Sequence, residues 1–312
     1  MNKIVVICGP TAVGKTRLAV HLAKVFDAEL VSADSRQVYA DMDIVTGKEL
    51  TGRQIIEKLR LEVQFKGKAY SLAPYRFHDV PMWLYDIVSP DEEFSVSHYH
   101  HLASVVISNI QEVPKLPIVV GGTGLYIKSL LEPMETIDVA QNTRLRKRLE
   151  QKSIIDLQQM LERKDPSAWQ ALNNSDRHNP RRLIRRLELI GRTVPKPERK
   201  NVYDAFILGL EAPMSYLDER IEVRVDERVK SGAFEEIAKM QKRYAASLPS
   251  MSGIGYKGGE IEQWKADERA YARRQMTWFK KQKDIRWFDS RDPQLAAKVE
   301  EAVRAWYTST NE

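Results

Sequence analysis

The sequence predicts an α/β fold, a three-layer parallel sheet with an all-helical insertion. Apolar runs that end in glycine alternate with helical patterns over residues 1–132, as in parallel sheets. A phosphate-loop motif follows the first run, so we expect the core to be P-loop NTPase-like. Strand patterns stop between about 133 and 195, where short amphipathic helices take over.

The strands are predicted from three apolar runs. Residues 4–8 form the first, and a helical pattern follows over 18–25. A second strand over 29–33 leads into Asp34, and a third over 116–120 ends in Gly121-Gly122-Thr123-Gly124. Ligands of such sheets bind beyond the carboxyl ends of the strands. We therefore expect the residues that follow these strands to converge on one crevice.

The helical insertion is predicted between Glu132-Pro133 and the linker Pro195-Lys196-Pro197. This gives a core of residues 1–132 plus 196–312 and an insertion domain of residues 133–195. The clearest helix spans 180–190, with Asn179 as N-cap. Apolar residues form one face, and we expect an exposed basic row on the other, made of Arg181, Arg182, Arg185 and Arg186. Longer helices are predicted over about 216–231 and 267–283.

The positive charge is concentrated in the helical region. The chain of 312 residues has a formal net charge of +6, but residues 141–200 alone carry +9 and the rest carries −3. A polyanionic partner binds such a region by releasing counterions; a solvated basic surface without a ligand is the alternative.

Composition favours a folded, soluble protein, because 43% of the residues are hydrophobic and 29% are charged. Cys8 is the only cysteine, which excludes an intramolecular disulfide framework and favours a reducing, cytoplasmic compartment. No apolar run approaches the ~20 residues of a membrane span, so we expect no membrane contact.

The phosphate loop matches G-x-x-x-x-G-K-[ST] after a strand and before a helix. Its residues are Gly9, Pro10, Thr11, Ala12, Val13, Gly14, Lys15 and Thr16. Backbone N–H groups of such a loop cradle a di- or triphosphate, the lysine neutralises it, and the Thr16 hydroxyl is a ligand for Mg²⁺. The motif indicates a phosphoanhydride without specifying which one.

Two aspartates are candidates for the chemistry beside this loop. ATP-hydrolysing proteins hold Mg²⁺ with an aspartate after a later strand, and only Asp86 is a weak candidate here. Asp34 is better placed, as metal partner, hydrogen-bond acceptor or general base. A helix N-cap is its structural alternative.

Three further clusters have open interpretations. The row Arg220, Arg224 and Arg228 recurs every four residues, so it either clamps a diphosphate or forms a salt-bridged face with Asp218, Glu222 and Asp226. The mixture of aromatic and basic residues over 271–281 indicates either a nucleic-acid-binding surface or aromatic side chains that belong to the hydrophobic core. The third cluster is expected to be an exposed segment without a role, and it comprises His98, His100 and His101.

Together, several motifs resemble those of the tRNA dimethylallyltransferase family. They are the phosphate loop, 32–39, 42–44, 86–88, 121–126, 179–182, 253–257 and 273–279. The resemblance implies transfer of a dimethylallyl group from dimethylallyl diphosphate to N6 of the adenosine 3′-adjacent to the anticodon, in tRNAs reading codons that start with U. The implied cofactor is Mg²⁺, and we expect a cytoplasmic monomer.

The resemblance also implies roles for matching positions. Asp34 would accept the proton and orient the amine, with Lys15 and Thr123 as the other catalytic residues; Thr123 would line the channel. The loop, Arg220 and Arg224 would bind diphosphate, and Thr16 the metal. The tRNA-contacting positions would be Asp34, Ser35, Arg36, Gln37, Arg181, Arg182 and Arg185, with the insertion gripping the anticodon stem-loop.

Three alternatives stay open at this point. One is a nucleotide or small-molecule kinase that uses the loop for ATP. Another is an RNA-binding protein with this loop but without transferase activity. In the third, a free adenine nucleotide is the acceptor, although the basic insertion argues against so small a partner.

Overall fold

The computed structural model describes residues 2–48, 54–137, 139–194 and 203–309. The chain divides into two compact units, Met1–Glu132 with Lys200–Glu312, and Pro133–Arg199. The predicted linker at 195–197 lies outside the described residues. Within the described ranges, no helix is long and apolar enough to cross a membrane.

The first unit is built on a seven-stranded sheet. Its strands are β1 (Lys3–Cys8), β2 (Ala28–Ser32), β5 (Tyr75–Phe77), β6 (Val80–Trp83), β7 (Leu116–Val120), β8 (Asp204–Glu211) and β9 (Arg286–Asp289). The order is β5-β6-β2-β7-β1-β8-β9, and only the β5–β6 pairing is antiparallel. A separate hairpin joins β3 (Leu61–Phe65) and β4 (Lys68–Leu72).

Seven of the twelve described helices belong to this unit. They are α1 (Lys15–Val25), α2 (Val96–Glu112), α3 (Gly124–Leu131), α9 (Met214–Lys230), α10 (Ala233–Arg243), α11 (Ile261–Phe279) and α12 (Leu295–Thr308). The helical unit contains α4 (Thr143–Leu149), α5 (Ile154–Lys164), α6 (Pro166–Ala171), α7 (Asn174–Arg177) and α8 (Pro180–Leu189).

Alternate residues of each strand enter different apolar clusters, which gives three layers. From β1, Val5 and Ile7 pack with buried residues of α1 and α12. Val6 and Cys8 pack on the other face, with residues of α2, α9 and α11. This alternation follows from the two-residue period of a strand and confirms the predicted fold class. Burial raises the pKa of the Cys8 thiol to about 12.

The three predicted strands are confirmed as β1, β2 and β7. The sequence did not predict β3 to β6, β8, β9, α2, α10 or α12. Two helix boundaries also differ, because α11 spans Ile261–Phe279 where 267–283 was expected, and α9 begins at Met214. In α11, polar and charged residues such as Glu262, Gln263 and Lys265 interrupt the apolar positions of the first turns, so periodicity alone does not reveal its start.

The helical unit has its own core, and among its described residues Glu188 is a buried carboxylate. Its apolar cluster includes Leu157, Leu161 and Leu183. Glu188 is 1% exposed and accepts hydrogen bonds from Arg146, whose NH2 lies 2.7 Å away, and from Arg185 at 3.4 Å. A buried charge needs such partners, so this carboxylate ties α4 to α8.

Replacing Glu188 should destabilise the helical unit. Glu188→Ala leaves two guanidinium groups without their shared carboxylate, at a cost of about 3 kcal/mol. Urea unfolding of the full chain, followed by circular dichroism, measures this loss. Glu162→Ala, at an exposed position of α5, is the matched control. Equal midpoints for the two variants would contradict a structural role for Glu188.

Candidate active site

The phosphate loop has the backbone that its motif requires. It joins β1 to α1, and Gly9, Ala12 and Gly14 have φ angles of 140°, 62° and 99°. A Cβ on Gly9 would lie 2.5 Å from the Leu210 carbonyl oxygen, so the first position has no space for a side chain. Such left-handed turns orient successive N–H groups toward an anion at a helix N-terminus.

One cavity connects this loop with the turn after β2. It has a volume of about 360 Å³, and its lining includes Thr11, Lys15, Thr16, Asp34, Tyr271 and Gln275. A second cavity, of about 540 Å³, shares Lys15, Thr16 and Arg224 with the first and is also lined by Arg220. The loop therefore borders two cavities, one of which is also lined by Asp34.

Lys15 is a half-buried cation that lines both cavities. Its Nζ donates to the Pro10 carbonyl oxygen at 2.5 Å. Burial is the main cause that lowers the Lys15 pKa, to about 8; Arg224 lowers it further, and Asp34 acts in the opposite direction. A lysine with this pKa gains its full charge when an anion binds beside it.

The arginine row of α9 contacts the loop directly. Arg220 Nε donates to the Ala12 carbonyl oxygen at 2.7 Å, and Arg224 NH1 donates to the Thr11 hydroxyl at 3.3 Å. Arg228 is 9% exposed and pairs with Glu268 at 3.0 Å. Both arginines expected at a diphosphate thus border the phosphate loop.

The acidic residues of α9 pair with a different helix. Asp218, Glu222 and Asp226 bind Arg273, Arg269 and Lys265 of α11, at 3.3, 2.9 and 2.8 Å. The acidic residues therefore form their salt bridges with α11 and not with the arginine row of their own helix. The acidic face packs against α11, and the arginine face therefore lies against the phosphate loop.

Asp34 caps a tight turn and not a helix. It follows β2, residues 35–38 form a turn, and its Oδ1 accepts the Arg36 N–H at 2.8 Å. The helix N-cap alternative is therefore wrong. The same turn places Ser35, Arg36 and Gln37 along the cavity.

Thr123 contacts two residues that line the cavity, Ser35 and Tyr271. Its Oγ1 accepts the Ser35 N–H at 3.0 Å, and its side chain hydrogen-bonds with Tyr271. Burial, and then the nearby Asp34 carboxylate, raise the pKa of Tyr271. The threonine thus contacts the Asp34 turn through Ser35, while Tyr271 lines the cavity itself.

Asp86 does not join the phosphate loop. It pairs with Lys48, which is fully buried, and accepts the Tyr75 hydroxyl at 2.8 Å. The weak Walker-B hypothesis for Asp86 is therefore wrong. Lys48 also donates to the Tyr39 carbonyl oxygen at 2.6 Å and to Asp43 at 3.0 Å, so the pair is part of a structural network.

Glu236 of α10 binds the backbone of residues 43–45, next to the Lys48 network. Its carboxylate accepts N–H groups of Asp43, Ile44 and Val45, at 3.0, 2.8 and 3.1 Å. The Tyr256 hydroxyl, from another part of the cavity wall, donates to the same carboxylate. Sequence reasoning missed Glu236 because its partners are backbone groups.

Gln275 is the second residue that sequence reasoning missed as part of the site. It is 6% exposed and hydrogen-bonds both to the phosphate loop and to the turn after β7. It shares the buried face of α11 with Trp264, Ala272 and Phe279. A polar residue at a core position of a helix is the signal that points to it.

The histidine cluster is not an exposed segment. His98 is 8% exposed, and its ring lies 2.7 Å from the Ser95 hydroxyl at the start of α2. His101 stacks on Phe65 with centroids 4.3 Å apart. The prediction of exposure is therefore wrong for His98. Among the described residues, no group of three or more His, Cys, Asp or Glu side chains could hold a metal.

The basic row of α8 is only partly exposed. Arg181, Arg182 and Arg186 are exposed, and Arg182 pairs with Asp176. Arg185 is half-buried, and its NH2 donates to the carbonyl oxygens of residues 136 and 139, both at 2.8 Å. The predicted exposure of Arg185 is therefore wrong, because tertiary contacts bring these carbonyl groups to it.

Comparisons with known proteins identify similar chains over nearly the whole length. A family model described as IPP transferase matches residues 37–282, and one described as isopentenyl transferase matches residues 2–60. The chain is 36% identical to a tRNA dimethylallyltransferase of Geobacillus thermodenitrificans, covering 97% of this chain and 96% of the relative. It is 34% identical to that of Levilactobacillus brevis, with both chains covered completely.

The fold is also similar to a solved structure. The full-length tRNA isopentenylpyrophosphate transferase of Bacillus halodurans superposes with a TM-score of 0.68 at 32% identity. The match covers 98% of this chain and 97% of that one.

Binding of inorganic pyrophosphate should weaken as the pH rises through about 8. Lys15 attracts the anion only in its protonated form, and its pKa of about 8 means that this charge is lost in this range. Calorimetric titration across that range measures the affinity. The control is Lys15→Arg, whose side chain stays charged at every pH used. Any pH dependence that remains in this variant comes from the ionisation of pyrophosphate itself. Identical profiles for the two proteins would contradict the assignment to Lys15.

Proposed function

The chain belongs to the IPP transferase family, and we propose that it transfers the dimethylallyl group of dimethylallyl diphosphate to N6 of the adenosine 3′-adjacent to the anticodon, in tRNAs reading codons that start with U. The product is N6-(dimethylallyl)adenosine. The observation that carries the proposal is one cavity lined by both the phosphate loop and Asp34. Donor diphosphate and acceptor amine thereby have separate partners within one space.

The loop side of the cavity stabilises the leaving group. As the C1–O bond of the donor breaks, its electron pair stays with the diphosphate, where negative charge develops. Lys15, Arg224 and Arg220 supply positive charge there, together with the N–H groups of the loop. Donors fixed in place before the reaction stabilise such charge without reorganising, and this is usually the largest catalytic contribution.

On the other side of the cavity, Asp34 orients the acceptor amine and accepts its proton. Adenine N6 forms the new bond to C1 and loses one proton, which the Asp34 carboxylate accepts. The Arg36 N–H holds Oδ1, so the carboxylate is oriented before the base arrives. The target base must leave its stack to reach this position, as in other enzymes that act on a base.

We infer that Mg²⁺ accompanies the diphosphate. Thr16 is the ligand that the chain offers at the loop, and Mg²⁺ at such sites takes few protein ligands, with substrate phosphates and water completing its shell. The lack of an acidic or histidine cluster in the described part of the chain fits that mode. When bound, the ion neutralises charge on the diphosphate.

The helical unit, residues 133–195 in our assignment, is proposed to grip the anticodon stem-loop. Its excess positive charge and the exposed arginines of α8 suit a phosphate backbone. At the cavity, Asp34 to Gln37 would contact the target nucleotide. Arg185 supports α8 and would act on tRNA only indirectly. We further propose a cytoplasmic monomer.

The alternatives are less well supported. ATP-using proteins with this loop hold Mg²⁺ with an aspartate after a later strand, and the candidate for that position, Asp86, is instead paired with the buried Lys48. A binding protein without activity does not require Asp34 and the phosphate loop to share a cavity. The named relatives are transferases as well.

The first test is transfer itself, with Asp34 as the variant. Asp34→Asn should lower turnover at least 10²-fold, the usual contribution of a general base, while tRNA affinity stays the same. Labelled dimethylallyl diphosphate, Mg²⁺ and unmodified tRNA are incubated, and the digested RNA is examined for prenylated adenosine. Asp91→Asn, at an exposed position, is the control. Unchanged turnover in Asp34→Asn would remove it as the base.

The second test concerns the arginines of α8. Arg181→Ala with Arg182→Ala should weaken tRNA binding and reduce the slope of log affinity against log salt by about 1 to 2, because each lost phosphate contact contributes about 0.9. Arg163→Ala with Lys164→Ala, on exposed positions of α5, removes the same charge elsewhere in the unit. If both double variants show the same slope, the effect is one of net charge and not of contact.

A further inference from the structure

Gln275 spans the two sides of the cavity. Its Oε1 accepts the Thr11 N–H of the phosphate loop at 2.8 Å, and its Nε2 donates to the Gly122 carbonyl oxygen at 2.9 Å. A Cβ on Gly122 would collide with the same amide. One side chain thus uses both its acceptor and its donor, each on a different catalytic segment.

The Gly122 end of this connection continues to Asp34. The Thr123 N–H donates to the Ala33 carbonyl oxygen at 3.1 Å, and the Thr123 hydroxyl accepts the Ser35 N–H at 3.0 Å. Asp34 lies between these two anchored residues. The turn after β7 and the turn after β2 are therefore coupled by backbone contacts, and a shift of Gly122 would be transmitted to the carboxylate.

We propose that Gln275 is a positioning residue that sets the distance between the phosphate loop and the Asp34 turn. The inference rests on the proposed function, because that distance then fixes the gap between donor C1 and adenine N6. Gln275 reacts with neither substrate. Its effect is geometric: a misplacement of about 1 Å between reacting groups can cost about 10²-fold in rate.

Two substitutions separate this role from simple packing. Gln275→Leu retains most of the volume and loses both hydrogen bonds. Gln275→Glu retains the acceptor but loses the donor while the carboxyl group is ionised. A protonated carboxyl group has an acceptor and a donor, as the amide does. The Gln275→Glu variant should therefore recover activity as the pH falls.

The charged and titratable groups that line the cavity with Gln275 are shared with the wild type. They are Lys15 of the phosphate loop, Asp34 and Arg36 after β2, Tyr85, Arg224 and Arg228 of α9, Tyr256, Lys257, and Glu268, Tyr271 and Arg274 of α11. The ratio of variant to wild-type rate at each pH removes their contribution. A pH-dependent ratio then reports the introduced carboxyl group.

The experiment measures transfer of labelled dimethylallyl diphosphate to tRNA between about pH 5 and pH 8, a range in which a buried glutamate titrates. Gln275→Leu should reduce kcat about 10- to 100-fold, with a smaller change in the KM for the donor. The Gln275→Glu ratio should rise toward low pH. Gln263→Leu is the control, since Gln263 is exposed on the same helix and its amide donates to Asp267 at 3.0 Å, away from both catalytic segments.

Two results would overturn the inference. One is a kcat for Gln275→Leu within about twofold of wild type. Such a loss is smaller than the expected tenfold loss, which corresponds to about 1.4 kcal/mol. The other is a Gln275→Glu ratio that stays flat with pH, which also decides the matter if the leucine variant does not fold. A wild-type protein that transfers no label contradicts the proposed function itself, and so differs from both.

Discussion

The phosphate site depends on one constraint, the orientation of α9 about its own axis, which decides which neighbour each face of the helix contacts. Residues four apart share one helix face, so its acidic and arginine rows are fixed relative to each other. The acidic row pairs with α11, and this leaves Arg220 and Arg224 beside the phosphate loop. Exposed ion pairs each contribute less than about 1 kcal/mol. The orientation itself is fixed by the apolar stripe of the same helix, because Leu217, Ile221 and Val225 are almost fully buried; the ion pairs agree with it, and the position of the cations follows from it.

A second polar network supports the opposite wall of the cavity. Lys48 is buried, which lowers its pKa, while the adjacent Asp86 acts in the opposite direction. Glu236 satisfies three consecutive N–H groups nearby. Gly47, between these anchors, has a φ of 67° and no space for a Cβ, because the side chains of Arg224 and Arg228 pack against it. Buried polar groups are costly to leave unpaired, so this wall has little freedom to change.

The sequence predicted the part of the fold that is encoded locally. Of the three strands next to the phosphate loop, Asp34 and Thr123, β1 and β7 contain continuous apolar runs that end at glycine, and β2 has a short apolar centre followed by Asp34. The edge strands and the β3–β4 hairpin are short, and their pairing depends on distant segments. The site shows the same division. The phosphate loop is recognisable from its motif, whereas the bridge made by Gln275 depends on two backbone groups that lie far from it in sequence. Arg185 was misjudged for the same reason.

The environment of Cys8 makes the protein convenient for spectroscopy. This thiol is the only one in the chain. It lies inside the sheet, fully buried, with a pKa raised to about 12, and the thiolate is the form that reacts. Maleimide dyes or spin labels would therefore react at a cysteine introduced on the surface and spare the native one. Pairs of such labels, one on each compact unit, would allow distances to be followed in solution without removing the native cysteine.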